Sequence, residues 1–442
     1  MKKLIIAMLF MMVVVMLAGC GRGQRRRPSD ENVITLGTLA IHDETVYDAK
    51  KIFEEKNPGC RVDIKEYSGK DGYERLMTEL STGNAPDIID LSGLPVREFV
   101  KRGIFVSLDE YFENDDEIST SDFLEAPFEA SKIDGKLYYT PSSFGINTIL
   151  AKTSEVGNKT GWTVNEMADH IMGLSDDVMV FPADTKEEVL NSSIASSYDD
   201  FIDWDTGKVS FDSEEFKKIL KMTDKCPIDG NERYPGYSIG KLFSEGKLCF
   251  IKEMGVGGIP GYIADIKIFG EPVTAIGYPN KDRQGSSFQF FEQYAITTKS
   301  DQKDLSWKFL KAVMSKEHQY NMTFPIMFCG VPARKDCFDM YVRSITAKES
   351  YEDELGNIIE PHRASYSMGE DDVNLEQGAL SEDEVNEYIK AMNATKRVLD
   401  WDSPINTIIL EESYKYFQKE RSLEETVNVI NDRVSRYVAE RK

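Results

Sequence analysis

Gly236-Tyr237-Ser238-Ile239-Gly240 has the G-x-S-x-G spacing of a nucleophile elbow, where a strained strand-to-helix turn exposes a serine hydroxyl. That chemistry needs a buried strand running into the serine. Residues 227–235 are instead polar and broken by Pro227, Gly230 and Pro235, so the segment reads as a loop entering a helix near Lys241. Gly255, Gly257, Gly258 and Gly261 follow an apolar strand and could cradle a phosphate, but Pro260 stands where a dinucleotide helix would be opening. A turn in which backbone approaches a ligand is the better reading. Asp203, Asp205 and Asp212 are spaced like part of a calcium loop that lacks glycine at its sixth position, and a β-hairpin accounts for them more simply. His42, His170, His318 and His362 show no metal-ligand spacing, so no metal is expected. His170 and His318 fall on expected helices and read as surface or packing residues, whereas His42 and Asp43 sit at a strand-to-helix junction.

Cysteine chemistry divides in two. Cys60, Cys226, Cys249, Cys329 and Cys337 are odd in number and contain no C-x-x-C pair, which is neither a disulfide framework nor a zinc signature. Cys329 and Cys337 are close enough in sequence to bridge a short loop; buried free thiols are the equal alternative. Cys20 differs, because Lys2-Lys3, an apolar run over 4–16 and Leu17-Ala18-Gly19-Cys20 resemble a bacterial lipoprotein signal. The run is shorter than the roughly 20 apolar residues of a membrane-spanning helix. The expectation is removal of residues 1–19 and acylation of Cys20, which would hold the protein on the outer face of the cell membrane. Residues 20–32 carry no apolar run to bury and read as a lipidated, flexible tether.

Losing residues 1–19 removes two lysines and no acid, taking the formal charge from −23 to −25. So acidic a surface repels nucleic acid, and Arg25-Arg26-Arg27 reads as a membrane-proximal contact. The remaining length, about 410 residues, exceeds what one core serves, so two lobes are expected.

The elements that must position any site begin with strand, helix, strand, helix, strand. Residues 33–39 read as a strand, 44–57 as an amphipathic helix closed by Pro58-Gly59, and 61–67 as a strand alternating in and out. A helix over 72–82 stops at Gly83-Asn84, and Ile88-Ile89-Asp90-Leu91 is a third strand. This alternation implies a parallel sheet covered by helices, with ligands at the carboxyl ends of its strands.

Residues 80–89, Leu-Ser-Thr-Gly-Asn-Ala-Pro-Asp-Ile-Ile, resemble a segment of the family 1 extracellular solute-binding proteins, the lipoprotein receptors of sugar ABC transporters. Further segments agree in the same order: Gly103 to Tyr111, Asp134-Gly135-Lys136-Leu137-Tyr138-Tyr139-Thr140-Pro141, Gly161-Trp162-Thr163 with Glu166, Leu242-Phe243 with Gly246-Lys247, Trp307 to Gln319, and Gly330-Val331-Pro332-Ala333-Arg334-Lys335. One departure is that Met254 to Pro260 lacks the tryptophan the family often carries there.

The resemblance implies an α/β, two-lobed periplasmic-binding-protein-like fold of type II, with a ligand cleft between lobes joined by crossover hinge strands. The expected lobes are 33–141 with 294–331, and 142–293 with 332–442. The implied function is a non-enzymatic, monomeric receptor that captures a carbohydrate and delivers it to ABC permease subunits, with no cofactor and no nucleic acid. A non-sugar solute and a secreted serine hydrolase using Ser238 are the alternatives. A sugar needs aromatic rings against its C–H faces and polar groups for its hydroxyls. Four places supply them: His42 and Asp43; Ser92 and Gly93 after the third strand; Ser143 and Phe144 at the first crossover; and Phe290, Phe291 and Glu292 at the second, where alternation lets one phenylalanine face the ligand. Trp401 precedes the helix that in the family approaches the ligand from the C-terminal lobe.

Overall fold

A computed structural model describes residues 31–39, 44–69, 71–183, 185–230, 233–255, 257–323, 330–366, 375–399 and 403–440. The segment that would carry the signal and Cys20 lies outside them, as do His42, Asp43, Cys329 and Trp401. Among the described residues no helix is long and apolar enough to cross a membrane.

The chain folds into two α/β lobes. In the first, β1 (Val33–Thr38) pairs in parallel with β2 (Arg61–Glu66) over six residues and with β3 (Ile88–Asp90) on its other side. The intervening helices, Glu44–Lys56 and Gly72–Thr82, match the periodic segments of the sequence. Val46, Ala49, Ile52 and Phe53 make one apolar stripe on the first helix, and Phe53 meets Phe309 of the helix Lys303–Val313 edge to face at 5.9 Å.

Asp87, in the proline-aspartate step of the resemblance segment, is a structural staple. Its buried carboxylate accepts from Thr35 N at 2.8 Å, Thr35 Oγ1 at 2.8 Å and Ser300 Oγ at 2.6 Å, tying β1 to the entry of the helix that covers the sheet. Asp134 and Gly135 both have positive φ and close the hairpin Ile133–Lys136, which is why an Asp-Gly pair stands there.

The second lobe is built on β4 (Ser143–Lys152), whose first nine residues are all buried. One edge of β4 pairs with β5 (Phe250–Met254), the other with β6 (Val273–Ala275) and β7 (Ser287–Phe290). Ser143, Asn147 and Thr148 are buried in β4 beside the apolar residues, and Asn147 and Thr148 are hydrogen-bonded from β7 and its approach, Asn147 Nδ2 donating to Gln289 Oε1 at 2.9 Å and Thr148 Oγ1 meeting Ser286 Oγ at 2.9 Å. Gly145 lets β4 meet the turn after β5, since a Cβ there would lie 2.4 Å from the Gly255 carbonyl oxygen. The glycine-rich turn thus packs backbone to backbone against β4.

After β7 the chain returns to the first sheet as β8 (Tyr294–Ile296), antiparallel to β3. It then forms β9 (Val331–Pro332), which rejoins β4 at Ser143 and Phe144. The crossings run side by side: Thr140 Oγ1 donates to the Glu292 carbonyl at 2.9 Å, and Tyr294 N donates back to Thr140 Oγ1 at 3.0 Å.

Candidate functional site

The loop after β3 is held by one carboxylate. Asp90 accepts from Thr38 Oγ1 at 2.7 Å through one oxygen, and from Ser92 N at 3.0 Å and Ser92 Oγ at 2.7 Å through the other. Leu94 N donates to the Leu91 carbonyl at 3.0 Å, and Gly93 takes φ +73°, a left-handed position that glycine adopts without a Cβ penalty. The loop therefore presents Ser92 and Gly93 beyond the carboxyl end of the sheet.

Facing it across a cleft of about 250 Å³ are Gln289, Phe290, Phe291 and Gln293 from the second crossover, with Tyr139 and Arg97 beside them. Leu91 N donates to the Gln293 carbonyl at 2.8 Å, so loop and crossover are one hydrogen-bonded frame. Val398 and Leu399 close a further side, because Leu399 N donates to the Phe288 carbonyl at 2.7 Å. Cleft-facing amides are oriented in turn: Gln289 Oε1 accepts from Asn147 Nδ2 at 2.9 Å, leaving the Gln289 amide nitrogen as a donor.

Ser92, Gly93, Phe290 and Phe291 thus line one cleft, and they do so differently. Phe291 is half-buried, its ring against Gly330, where a Cβ would come within 2.5 Å of the ring edge. Phe290 is a core ring, edge to face with Tyr139 at 6.1 Å and with Phe144 at 6.3 Å. Phe144 is fully buried and also meets Phe288 at 5.3 Å, so its expected contact with a ligand is corrected to a packing role. Ser143 is likewise buried and absent from the cleft wall, since β4 is covered on both faces.

Glu292 requires the largest correction. Only 2% exposed, it points away from the cleft and its Oε1 lies 2.7 Å from His318 Nε2. The other imidazole nitrogen, Nδ1, lies 2.7 Å from Asp48 Oδ2, and Asn321 Nδ2 donates to Asp48 Oδ1 at 3.0 Å. A carboxylate at each nitrogen favours the ring that donates from both, the imidazolium, so His318 is a buried ionic link rather than a packing residue. Burial alone would lower its pKa; the Glu292 charge and the bonds to Asp48 and Glu292 outweigh that and push it up to about 9. Burial raises Asp48 while the His318 bond and charge lower it, and the balance falls below the usual carboxylate range.

The remaining sequence motifs are structural. Ser238 Oγ accepts from Lys241 N at 3.1 Å and caps the helix Ile239–Ser244, which occupies the hydroxyl as a cap rather than a nucleophile. Asp203 Oδ1 accepts from Asp205 N and Thr206 N, both at 3.0 Å, closing the hairpin between Ile202–Asp203 and Lys208–Val209. Cys337 is a buried free thiol. Gln289, Gln293, Arg97 and Leu399 were not singled out from the sequence. Only the two amides carried a signal, through their place in the crossover segment.

Two α/β lobes with a polar and aromatic cleft at their junction define a two-lobed binding-protein fold, and known proteins agree. A family profile described as bacterial extracellular solute-binding protein matches residues 48–351, and the chain belongs to that family. Its members and structural neighbours are substrate-binding proteins, not enzymes. The chain is similar in fold to the ABC substrate-binding protein Lmo0181 from Listeria monocytogenes, solved in complex with cycloalternan, at 16% identity and TM-score 0.52, over 92% of this chain and 99% of that one. It is also similar to the sugar-binding protein MalE from Xanthomonas citri, at 16% identity and TM-score 0.52, over 92% and 98% of the two chains. A putative oligosaccharide periplasmic-binding protein from Synechococcus sp. MITs9220 is similar at 12% identity and TM-score 0.51, over 92% and 99%.

Proposed function

We propose that this chain is the extracytoplasmic receptor of an ABC importer, anchored through lipid on Cys20, and that it captures a carbohydrate and delivers it to the permease. The observation that carries the reading is the half-buried Phe291 ring beside the amides of Gln289 and Gln293, facing Ser92 and Gly93 across the cleft. A ring offers an apolar face to sugar C–H groups, and amides and hydroxyls match its hydroxyls. The cleft volume lies just below the roughly 300–1,000 Å³ of ordinary ligand sites, which favours a short saccharide. That Lmo0181 was solved with cycloalternan and that MalE is a sugar-binding protein supports the same class.

Lobes of 33–141 with 294–331 and 142–293 with 332–442 would close about the paired crossovers, and the closed surface would be the one the permease selects. Arg97 and Lys132 on the cleft wall favour a second reading, an anionic solute. Thermal-shift screening of the purified chain against neutral mono- and oligosaccharides and against sugar acids separates the two. A rise in Tm with a neutral sugar that disappears in Phe291→Ala supports the first; a response to the acids alone supports the second; no response to either class refutes both.

A further inference from the structure

Glu155, His170 and Cys249 come from the short helix Thr153–Val156 that follows β4, the helix Val164–Gly173, and the residue leading into β5. Their ligating atoms all lie within 4.8 Å of one another. His170 Nε2 is 3.4 Å from Cys249 Sγ, and Cys249 Sγ is 3.6 Å from Glu155 Oε2. Bond lengths of about 2.3 Å to sulfur and about 2.0–2.2 Å to nitrogen and oxygen give a tetrahedral zinc ion S···N and S···O edges of about 3.6 Å. The side chains therefore already stand at the spacing of three corners around an ion. We propose that Glu155, His170 and Cys249 form a zinc site, with water at the fourth position.

The donors match the metal. One thiolate, one imidazole and one carboxylate suit zinc, whereas magnesium and calcium take oxygen ligands. The scaffold is rigid where it must be: the His170 ring packs 5.5 Å from Phe250 and 6.2 Å from Trp162, whose Nε1 donates to the Gly277 carbonyl at 2.8 Å. Cys249 N donates to the Met179 carbonyl at 3.0 Å, fixing the thiol from behind. Lys152, at the end of β4, is engaged elsewhere, pairing with Glu271 at 2.9 Å and donating to the Phe243 carbonyl at 3.1 Å. Glu155 is solvent-exposed and opens the site to an entering ion, while Cys249 is 1% exposed.

A nucleophilic triad does not fit the same residues, because the carboxylate bonds the thiol rather than the imidazole and the thiol is buried. The site lies beyond the Lys152 end of β4, about 30 Å along the strand from the Ser143 end that joins the crossover. Its role is thus to clamp the helix Val164–Gly173 to the second sheet. On binding, the thiol transfers its proton to buffer as the S–Zn bond forms.

The test uses the mature full-length chain, reduced and stripped with chelator, titrated with cobalt(II) and then zinc. The expected result is a thiolate-to-cobalt charge-transfer band with intense visible bands of tetrahedral cobalt, saturating at one ion per chain and displaced by zinc. Cys249→Ser should abolish the charge-transfer band while the other cysteines remain. Glu155→Gln, at an exposed position that leaves folding intact, should weaken cobalt and zinc binding by roughly tenfold or more and cancel the zinc-induced rise in Tm. Absence of the band in the unmodified chain at saturating cobalt, or its persistence in Cys249→Ser, overturns the proposal.

Discussion

His318 is the place where a change of pH should be read most directly as stability. Its imidazolium is fully buried between Asp48 and Glu292, and Glu292 sits on the crossover next to Phe291. The folded-state pKa of about 9 lies above the usual 6.5, so the folded chain holds this proton more tightly than the unfolded chain does. Stabilisation from the group is accordingly complete below about pH 6.5 and is lost as pH rises through 9. At 1.36 kcal/mol per pKa unit the swing is about 3 kcal/mol, an order-of-magnitude figure for a fully buried ion network.

The assay is urea unfolding of the unmodified chain and of His318→Gln between pH 6 and pH 10. At pH 6 the variant leaves two carboxylates without their shared cation and should cost about 3–5 kcal/mol. By pH 10 the difference should shrink by about 3 kcal/mol, because the unmodified chain has by then lost its imidazolium. Other groups titrate in this range, and they do so in both proteins, so the difference isolates His318. Parallel stability curves across the whole range would refute the argument and make the histidine neutral in the folded state.

The two phenylalanines of the crossover should separate: Phe291→Ala should weaken binding of the ligand found by screening by about 1–2 kcal/mol with little change in Tm, and Phe290→Ala should cost about 3–5 kcal/mol of stability, by calorimetry and thermal melts respectively. Glu253 is buried beside Asp265, and burial together with that neighbour pushes it up to about 9; its protonated form therefore contributes stability that falls as pH rises from about 4.5 towards 9. Glu253→Gln should remove that loss, leaving the variant at least as stable as the unmodified chain at pH 8, by chemical denaturation. Ser238→Ala should cost about 1 kcal/mol through the lost helix cap and leave ligand affinity unchanged; ester hydrolysis abolished by the substitution would contradict the capping role. On the proposed lipid anchor, Cys20→Ala should release the protein from membranes and stop incorporation of labelled fatty acid, because acyl chains there would supply roughly 0.8 kcal/mol of anchoring per buried CH₂.

Local pattern carried much of the architecture. The first three strands and two helices follow from apolar spacing and from Pro58-Gly59 and Gly83-Asn84, because period and chain breakers act within a few residues. The loop leading into a helix near Lys241 and the hairpin at Asp203 were legible for the same reason, while the capping role of Ser238 emerged only from the structure. The positions of Ser92 and Gly93 beyond the third strand follow from the topology rule for parallel sheets.

What the sequence could not decide is which face of each crossover strand turns inward. Alternation says that Phe290 and Phe291 point opposite ways; only the packing of Tyr139 and Phe144 against Phe290 says which one meets the cleft. Glu292, a lone acid among aromatics, looks like a ligand-binding carboxylate until a histidine 26 residues away claims it, together with an aspartate 270 residues from that histidine. Glu155, His170 and Cys249 share no sequence spacing, and their meeting is a product of the second lobe alone. Period and propensity are local quantities, whereas burial of a charge or convergence of three ligands depends on contacts between distant segments. Those contacts exist only once the sheets have closed.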